Sequence, residues 1–575
     1  MSVRTTVDRM IEALEEKRKV PISYLAKEFD VPEDLIEKFM LVLEKKGVVS
    51  MHYSFLPFQK PYVSLEKLLP PAEDKKIPGK ILETYQIGAF AGHVSAKVTV
   101  YSEQGARTPT YHLTPPSFSP YSLIYLEYVK DEVTKILPPE SVQMKDVERQ
   151  EEASLRRCAI TERLLADFRE DELKSLCGQI SYKMFGLGEI EDLLSDDRVE
   201  EVVVNNASLP VSLYHRKYGW MKTNVRLRGE DETLNYSSQI ARRVGRQITP
   251  LTPLLDAHLI SGDRVNATMY PISRKGNTVT IRRFSRDPWT IIKLIKNRTI
   301  SAEVASMLWQ AIHYEMNILV VGGTASGKTS MLNTLSNFIP PSQRIITIED
   351  TRELVLSKYH WNWVPLVSRL PNPEGLGQVS MLDLMVNSLR MRPDRILVGE
   401  IRERDQASTL FEAMHTGHSV YSTMHADTGS EALRRLVQPP IEVPAIELEA
   451  VDLIVSQYRD RKQNIRKTYE VSEIGDLSEK QATINHIYLW KARTDEFSLV
   501  REPKRYTESL NLHTGMTEKE IRADREEKKR VLDWMDKHDL EKVDEIAKVL
   551  REYYRRAPEL VGSIDKGETP SKVLE

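Results

Sequence analysis

The sequence predicts an α/β protein in which a parallel-sheet core follows an α+β domain and a small helical extension at the N-terminus. Three features of the sequence support this prediction. From residue 300 onward, helical patterns alternate with wholly apolar strands such as NILVV, RIITI and RILVG, which is typical of a parallel sheet with helices on both faces. Short strands and turns precede that core up to about residue 284, and three short helices followed by a strand occupy residues 5–55.

The chain has 575 residues, which is too long for one domain and suggests about three or four. Within its first third, the segments HVSAKVTVY and SLIYLEYV alternate in a way that predicts strands. The segment RDPWTIIKLIKN predicts a hinge before the core. The predicted segments are a helical unit over 1–62, a strand-rich region over 63–165, an α+β domain over 166–286, a hinge over 287–299, the core over 300–505 and C-terminal helices over 506–575.

Composition and charge exclude several classes of protein. Lys and Arg number 81 against 84 Asp and Glu, so the net charge of −3 gives no overall basic surface for nucleic acid. The two cysteines, Cys158 and Cys177, are too few for a disulfide framework or a four-thiolate zinc site, which favours a reducing compartment. The charged N-terminus lacks the apolar region of a signal peptide, and no apolar run approaches 18 residues, so we expect any membrane association to be peripheral.

The N-terminal unit has the pattern of a winged helix-turn-helix. TVDRMIEALEEK, ISYLAKEFDV and EDLIEKFMLVLEKKG each place apolar residues at helical spacing, and VVSMHYSF then alternates like a strand. Such units often bind DNA, but the third helix has Glu33, Asp34, Glu37 and Glu44, whose carboxylates would repel the phosphates of DNA. We therefore expect this unit to dock a protein or to serve as scaffold in preference to binding DNA.

A glycine-rich segment predicts a nucleotide site. Residues 322–329, GGTASGKT, match G-x-x-x-x-G-K-[ST] between an apolar strand and the helix SMLNTLSNF. The glycines let backbone N–H groups surround the phosphates, and the helix N-terminus adds partial positive charge. Lys328 would reach the β- and γ-phosphates, and the Thr329 hydroxyl would ligate Mg²⁺. We predict that ATP with Mg²⁺ binds here, in contact with Gly322, Gly323, Thr324, Ala325, Ser326, Gly327, Lys328, Thr329 and Ser330.

Polar residues at the ends of later strands complete the predicted site. RIITIEDTREL places Glu349 and Asp350 at a strand end, and RILVGE places Glu400 at another, after Gly399 where many P-loop enzymes have an aspartate. We predict that Glu349 is the base that orients the attacking water and that Glu400 organises the metal and its water. In the segment AMHTGHSVYSTMHAD, His425 is the histidine best placed to sense the γ-phosphate through a hydrogen bond.

In this order, GGTASGKT, TIEDTREL, LVGEIR and TGHSVYSTMHA resemble the motifs of the secretion ATPase superfamily, whose members have a RecA-like core. That superfamily drives type II secretion, type IV secretion and the assembly of type IV pili and the archaellum. GLGEIEDLLSDDRVEEVVVNN, DAHLISGDRVNAT and VTIRRFS resemble the N-terminal domain of its archaeal branch most closely, and the resemblance covers roughly residues 180–560. The chain departs from many bacterial members, because its two cysteines cannot form their four-cysteine zinc motif.

The resemblance implies an ATP-hydrolysing, homo-hexameric motor on the cytoplasmic face of the membrane. Such a motor acts on a polytopic membrane platform protein and powers assembly of a type IV pilus-like or archaellum-like filament, or type II-like protein secretion. The resemblance also implies that Arg264 and Arg283 match arginines that reach the γ-phosphate from the N-terminal domain. Arg282 and Arg283 point to opposite faces of one strand, so only one of them can face the nucleotide, and surface ion pairs are the alternative role.

Two other classes of protein are alternatives. A RecA-like core with a DNA-binding winged helix could translocate nucleic acid, although the near-neutral charge and the lack of basic–aromatic stretches for stacking single strands disfavour this interpretation. A regulatory nucleotide-binding module with a winged helix would need neither the histidine-rich segment nor the upstream arginines. We therefore expect no nucleic-acid partner.

Overall fold

The structure is a computed structural model that divides into two compact units, Met1–Phe284 and Ser285–Glu575. Both cysteines and the predicted boundary near residue 165 lie outside the described residues. The structure describes residues 2–3, 5–53, 61–69, 77–88, 96–115, 117–136, 187–259, 262–283, 288–371, 375–460, 462–463, 465–477 and 482–574.

The first unit begins with a winged helix, as the sequence predicts. Met10, Ile11 and Leu14 are buried along one face of its first helix, which explains the helical spacing of apolar residues there. Strands β2, β4 and β3 form an antiparallel sheet in that order. The elements are β1 (Ser2–Val3), α1 (Thr6–Lys17), β2 (Lys19–Pro21), α2 (Ile22–Phe29), α3 (Glu33–Glu44), β3 (Val49–His52) and β4 (Tyr62–Leu65).

Helix α4 (Pro120–Ile136) packs on the winged helix and corrects one prediction. The segment SLIYLEYV was predicted to be a strand, and this is wrong, because it lies inside α4. Its buried residues Tyr125, Val129 and Val133 recur every four positions, which is the spacing of a helix face. Tyr125 meets Phe39 of α3 edge-on, with ring centroids 4.4 Å apart. A helix from the predicted strand-rich region therefore shares the core of the N-terminal unit.

A nine-stranded sheet forms the rest of the first unit. Its order is β12-β13-β14-β9-β10-β11-β7-β6-β5, and all neighbours are antiparallel except β11 and β7. That parallel pair joins strands of the predicted regions 63–165 and 166–286 into one sheet. The elements are β5 (Lys80–Ile87), β6 (Ala96–Ser102), β7 (Thr110–Thr114), β8 (Ser117–Phe118, paired with β1), α5 (Glu189–Ser195), β9 (Val199–Val204), β10 (Ser212–His215), β11 (Gly219–Thr223), α6 (Glu230–Arg243), β12 (Leu254–His258), β13 (Arg264–Thr268) and β14 (Thr278–Arg282).

The second unit contains the predicted RecA-like α/β core. Its sheet has the order β17-β16-β18-β19-β15-β20-β21-β22-β23, with the first six strands parallel and the last three joined antiparallel. Every residue of β15 and β16 is buried, which is why both strands are continuous apolar runs. The elements are α7 (Ile291–Lys296), α8 (Ala302–His313), β15 (Ile318–Gly322), α9 (Lys328–Ser336), β16 (Ile345–Glu349), β17 (Trp363–Val367), α10 (Met381–Ser388), β18 (Arg395–Ile401), α11 (Arg404–His415), β19 (Ser419–His425), α12 (Gly429–Val437), β20 (Leu453–Asp460), β21 (Ile465–Leu477), β22 (Ala482–Lys491) and β23 (Glu496–Leu499).

The chain ends in helices α13 (Arg505–Thr514), α14 (Glu518–Lys537), α15 (Val543–Asp565) and α16 (Pro570–Val573), which share the core of the second unit. Trp309 of α8 stacks on Phe338 with ring centroids 5.3 Å apart, beside α15. Lys296 of α7 forms ion pairs with the loop between α14 and α15. The described part of the predicted hinge, 288–299, thus belongs to the second unit. Over the described part of the chain, no helix is both long and apolar enough to cross a membrane.

Candidate nucleotide-binding site

The predicted phosphate loop connects β15 to α9. Its backbone needs glycine at both ends. A Cβ added to Gly322 would lie 2.5 Å from the carbonyl oxygen of Gln457, and Gly327 has a φ of 98°, which favours glycine. The loop ends at Gly327, directly before the N-terminus of α9. Backbone N–H groups and the helix dipole favour an anion there. Of the other predicted contacts, Thr324 and Ala325 are exposed, Ser326 is buried, and Thr329 and Ser330 are half-buried.

Lys328 lies beneath this loop. It is 8% exposed, and its Nζ donates to the carbonyl oxygens of Gly322 and Gly323, at 3.0 Å each. Burial lowers the pKa of Lys328 from its usual value. Hydrogen bonds between two charged groups are stronger than bonds to neutral carbonyls. The ammonium group is therefore placed to exchange the loop carbonyls for phosphate oxygens.

His425 connects this lysine to a carboxylate. Its Nδ1 lies 3.4 Å from Lys328 Nζ, and its Nε2 lies 3.1 Å from Glu400 Oε1. Burial, and then the nearby Lys328 charge, lower the pKa of His425, which favours the neutral imidazole. Lys328 begins the helix that follows β15, Glu400 lies near the end of β18, and His425 ends β19. These three residues thus form a continuous chain of polar groups.

Glu349 is the last residue of β16 and is 2% exposed. Its Oε1 accepts hydrogen bonds from the backbone N–H groups of Glu353 at 2.9 Å and Leu354 at 3.1 Å. Its Oε2 is buried and has no hydrogen-bond donor within the described ranges. Burial raises the pKa of Glu349 to about 7. One carboxylate oxygen is held in place while the other is available to accept a proton near neutral pH.

Gly399 lies next to Glu349 of the neighbouring strand. A Cβ added there would lie 3.5 Å from Glu349 Cγ. A longer side chain would compete with Glu349 for this space, and an aspartate would add a further carboxylate beside one that is already buried. The glycine noted in the sequence therefore leaves room for Glu349 on the neighbouring strand.

Arg402 is a site residue that the sequence analysis missed. Its Nε and Nη2 donate to Glu400 Oε2 at 2.9 and 2.6 Å, and its Nη1 donates to Asp350 Oδ2 at 3.1 Å. Residues two apart in extended chain point to the same side, so the spacing of Glu400 and Arg402 in GEIR is a signal that could have identified the pair. Arg402 joins the acidic ends of β16 and β18.

Two of the residues at this site have oxygen atoms suited to Mg²⁺. Thr329 lies in the first turn of α9. Glu400 Oε1 is buried and accepts no hydrogen bond of good geometry from the residues that the structure describes. Mg²⁺ prefers oxygen ligands and retains several waters. A hydroxyl oxygen and a carboxylate oxygen with a free lone pair fit a hydrated Mg²⁺.

The predicted arginines belong to the first unit and differ from each other. Arg264 is 51% exposed along its side chain and donates to both carboxylate oxygens of Asp256, at 3.2 and 2.8 Å. Arg283 is 8% exposed. It donates to the backbone carbonyls of Asp196 and Val199 and, at 3.1 Å, to Asp197. Arg264 presents its guanidinium at the surface, whereas that of Arg283 is fixed against the backbone.

The second unit, with a phosphate loop after the central strand of a parallel sheet and carboxylates at the ends of neighbouring strands, defines a P-loop NTPase. The family model for type II/IV secretion system proteins matches residues 185–531, which is well over half of the chain. The chain belongs to this family. The match confirms the predicted membership of the secretion ATPase superfamily.

Individual relatives come from archaea and bacteria. An uncharacterised protein of Methanocaldococcus jannaschii is 46% identical over 239 residues, which cover 40% of this chain and 32% of that protein. The chain therefore spans about a third of that relative. The type IV secretion system protein PtlH of Bordetella pertussis is 31% identical over 317 residues, covering 49% of this chain and 92% of PtlH. The crystal structure of the VirB11 ATPase of the Brucella suis type IV secretion system, with sulphate, is 25% identical with a TM-score of 0.26 and covers 49% of this chain and 92% of VirB11.

Proposed function

We propose that this protein hydrolyses ATP to power assembly of a type IV pilus-like or archaellum-like filament, or type II-like secretion. The observation that supports hydrolysis best is Glu349, whose buried Oε2 has no hydrogen-bond donor in the described part of the chain. Its pKa of about 7 suits a general base at neutral pH. A site that only binds nucleotide has no need of a desolvated carboxylate at this position.

In the proposed mechanism each polar residue has one task. Lys328 leaves the loop carbonyls and neutralises the β- and γ-phosphates. Thr329 and Glu400 would hold Mg²⁺, Glu400 partly through water, and the metal would supply positive charge for the phosphate oxygens. Glu349 orients the attacking water and accepts its proton on Oε2. The neutral His425 lies between Lys328 Nζ and Glu400 Oε1, at 3.4 and 3.1 Å, so it is placed to relay the state of the γ-phosphate between the two residues.

The proposed working form is a homo-hexamer on the cytoplasmic face of the membrane, acting on a polytopic platform protein. The winged helix docks a protein partner in this proposal. Glu33 and Asp34 are exposed at the start of α3, the helix that would have to approach DNA phosphates. No observation favours a nucleic-acid substrate over a protein one. Stimulation of ATP hydrolysis by DNA would instead support the nucleic-acid motor.

Three substitutions in the full-length chain test the proposed chemistry. Lys328→Ala should abolish ATP binding or hydrolysis, because the ammonium group that balances part of the phosphate charge is lost. Glu349→Gln and Glu400→Gln should keep ATP binding and lower the rate of hydrolysis by roughly a hundredfold or more. Glu412→Gln, an exposed glutamate of α11, is the matched control and should change neither. Binding is measured by calorimetry and hydrolysis by phosphate release. Normal turnover by either glutamine variant at the site would exclude that residue from the mechanism.

A further inference from the structure

The residues after His425 lead directly into α12, and contacts with this helix fix the position of the histidine. The backbone carbonyl of His425 accepts a hydrogen bond from Arg435 Nη1. The N–H of Asp427 donates to Glu431 Oε2 at 2.8 Å, and the N–H of Glu431 donates to the Thr428 hydroxyl at 3.2 Å. Arg435 and Glu431 both belong to α12. The position of His425 therefore depends on the position of this helix.

A buried carboxylate, that of Glu470 in β21, accepts the first backbone N–H of α12. Glu470 is 2% exposed, and its Oε1 accepts from Gly429 N–H at 2.5 Å and from Ser456 Oγ at 2.8 Å. Its Oε2 lies 2.9 Å from Nδ1 of His486. A carboxylate also interacts favourably with the partial positive charge at a helix N-terminus. Glu470 thus connects the start of α12 to strands β20, β21 and β22.

Gly429 permits this close approach of helix and strands. A Cβ added there would lie 2.5 Å from Ile484 Cδ1 of β22 and 3.1 Å from Glu470 Oε1. Carbon atoms in favourable contact are about 3.5–4.0 Å apart. A side chain at this position would therefore push the start of α12 away from the carboxylate. Both packing and hydrogen bonding fix the start of the helix.

Glu470 is connected to the proposed catalytic groups through α12. The hydrogen bonds lead from Glu470 to Gly429 at the start of the helix, and from Arg435 in its last turn to the carbonyl of His425. The ring of His425 in turn contacts the phosphate-loop lysine and the carboxylate near the end of β18. A displacement of about 1 Å in a catalytic group can lower turnover about a hundredfold. A residue that holds α12 can therefore affect the rate without contacting ATP.

We propose that Glu470 is a positioning residue for ATP hydrolysis, which acts on His425 through α12. The inference rests on the proposed function, since it concerns the rate of that reaction. It assigns a role in turnover to a residue of β21, whereas the proposed catalytic residues follow β15, β16, β18 and β19. Removal of Glu470 should accordingly lower kcat and leave ATP binding unchanged.

The test uses full-length variants, with ATP affinity measured by calorimetry and kcat by phosphate release. Glu470→Ala should lower kcat roughly tenfold or more and leave the affinity for ATP unchanged. Arg435→Ala removes the other end of the connection, at a side chain that is half exposed, and should show the same pattern. Glu470→Gln keeps an oxygen that can accept from Gly429 N–H and should retain most of the wild-type kcat.

Glu473→Ala is the matched control. Glu473 lies on the same strand, is 1% exposed, and accepts the N–H groups of Lys504 at 3.0 Å and Tyr506 at 2.8 Å at the start of α13. Its removal should lower the thermal stability about as much as removal of Glu470. It should leave kcat unchanged, because α13 contains none of the proposed catalytic residues.

A double-mutant cycle distinguishes positioning from a general loss of structure. If Glu470 acts through His425, Glu470→Ala should lower kcat no further in the His425→Ala background. The same loss in both backgrounds would overturn the proposal, and so would an equal loss in Glu473→Ala. A normal kcat in Glu470→Ala or Arg435→Ala, or a Glu470→Gln variant as slow as Glu470→Ala, would also overturn it. If the wild type hydrolyses no ATP, the proposed function itself fails.

Discussion

At the scale of single residues, the environment of Glu349 predicts a pH dependence. Its pKa is raised to about 7 by burial, and a general base works only when it is deprotonated. We expect kcat/KM for ATP, which reports the free enzyme, to rise with pH and level off above about 7. An ordinary glutamate would already be ionised well below this range. The measurement is ATP hydrolysis at low ATP concentration between about pH 5.5 and about 8.5.

The Glu349→Gln variant is the control for this profile, because it cannot titrate and should be slow at every pH. His425 should not produce the same rise, since burial and Lys328 lower its pKa and make it neutral earlier. A wild-type profile that is flat through neutral pH would contradict the proposed role of Glu349.

The two predicted arginines should respond differently to removal. Arg283→Ala removes the side-chain hydrogen bonds to the carbonyls of Asp196 and Val199, at a cost on the order of 1–3 kcal/mol in the stability of the first unit. Arg264→Ala removes an exposed ion pair with Asp256, and such pairs contribute about 0–1 kcal/mol. The loss of stability in both variants is measured by urea unfolding of the full chain. Hydrogen exchange of the amides in β9 and β14 shows whether the loss lies in the first unit. Equal stability of the two variants would contradict the structural role of Arg283.

At the scale of elements, local signals explain both the successes and the failure of prediction. Strands β15 and β16 were predictable because residues buried on both faces must all be apolar. In α4, by contrast, tyrosines at 121, 125 and 128 favour a strand by propensity, while the four-residue spacing of its buried side chains favours a helix. Packing against α3 decides in favour of the helix, and no single segment of sequence contains that partner.

The packing of α4 on α3 yields a prediction for Tyr125. This residue is 3% exposed and contacts Phe39, so Tyr125→Ala leaves a cavity and should destabilise the winged-helix unit by about 3 kcal/mol. Amides of α1 and α3 should then exchange hydrogen faster, while those of β15 and β16 are unchanged. Tyr53→Ala is the control, because Tyr53 is 58% exposed in the same unit. Unchanged exchange in α3 of the Tyr125 variant would show that α4 is not part of this core.

At the scale of the whole molecule, long-range pairing limits what a single sequence predicts. The parallel pair β11 and β7 joins segments far apart in sequence, and no local pattern marks that contact. Buried Asp196 accepts hydrogen bonds from Tyr85 at 2.7 Å and Tyr111 at 2.9 Å, which connect the same two regions. The nucleotide site was predictable because its residues lie at the carboxyl ends of neighbouring parallel strands. The local spacing from Glu400 could have identified Arg402, but no local pattern marks its second partner, Asp350, which follows another strand.

The proposed hexamer yields a prediction for mixed subunits. A loose phosphoryl-transfer transition state needs positive charge beyond that of Lys328, and an arginine from a neighbour can raise turnover roughly 10³–10⁵-fold. Arg264 has an exposed guanidinium, so we propose that it acts on the site of the next subunit. Lys328→Ala and Arg264→Ala are each expected to be nearly inactive alone. Mixed in equal amounts, they should recover up to about a quarter of wild-type activity, because one site in four pairs an intact Lys328 with an intact neighbouring Arg264.

A second mixture is the matched control for this experiment. Lys328→Ala and Glu349→Gln alter the same core, so an intact site needs both residues from one chain and mixing should recover nothing. Both mixtures are unfolded and refolded together to exchange subunits, and sedimentation measures their size. If the first mixture forms hexamers but stays inactive, the arginine does not act between subunits. Full activity of a demonstrable monomer would exclude the ring itself, since each site would then be complete within one chain.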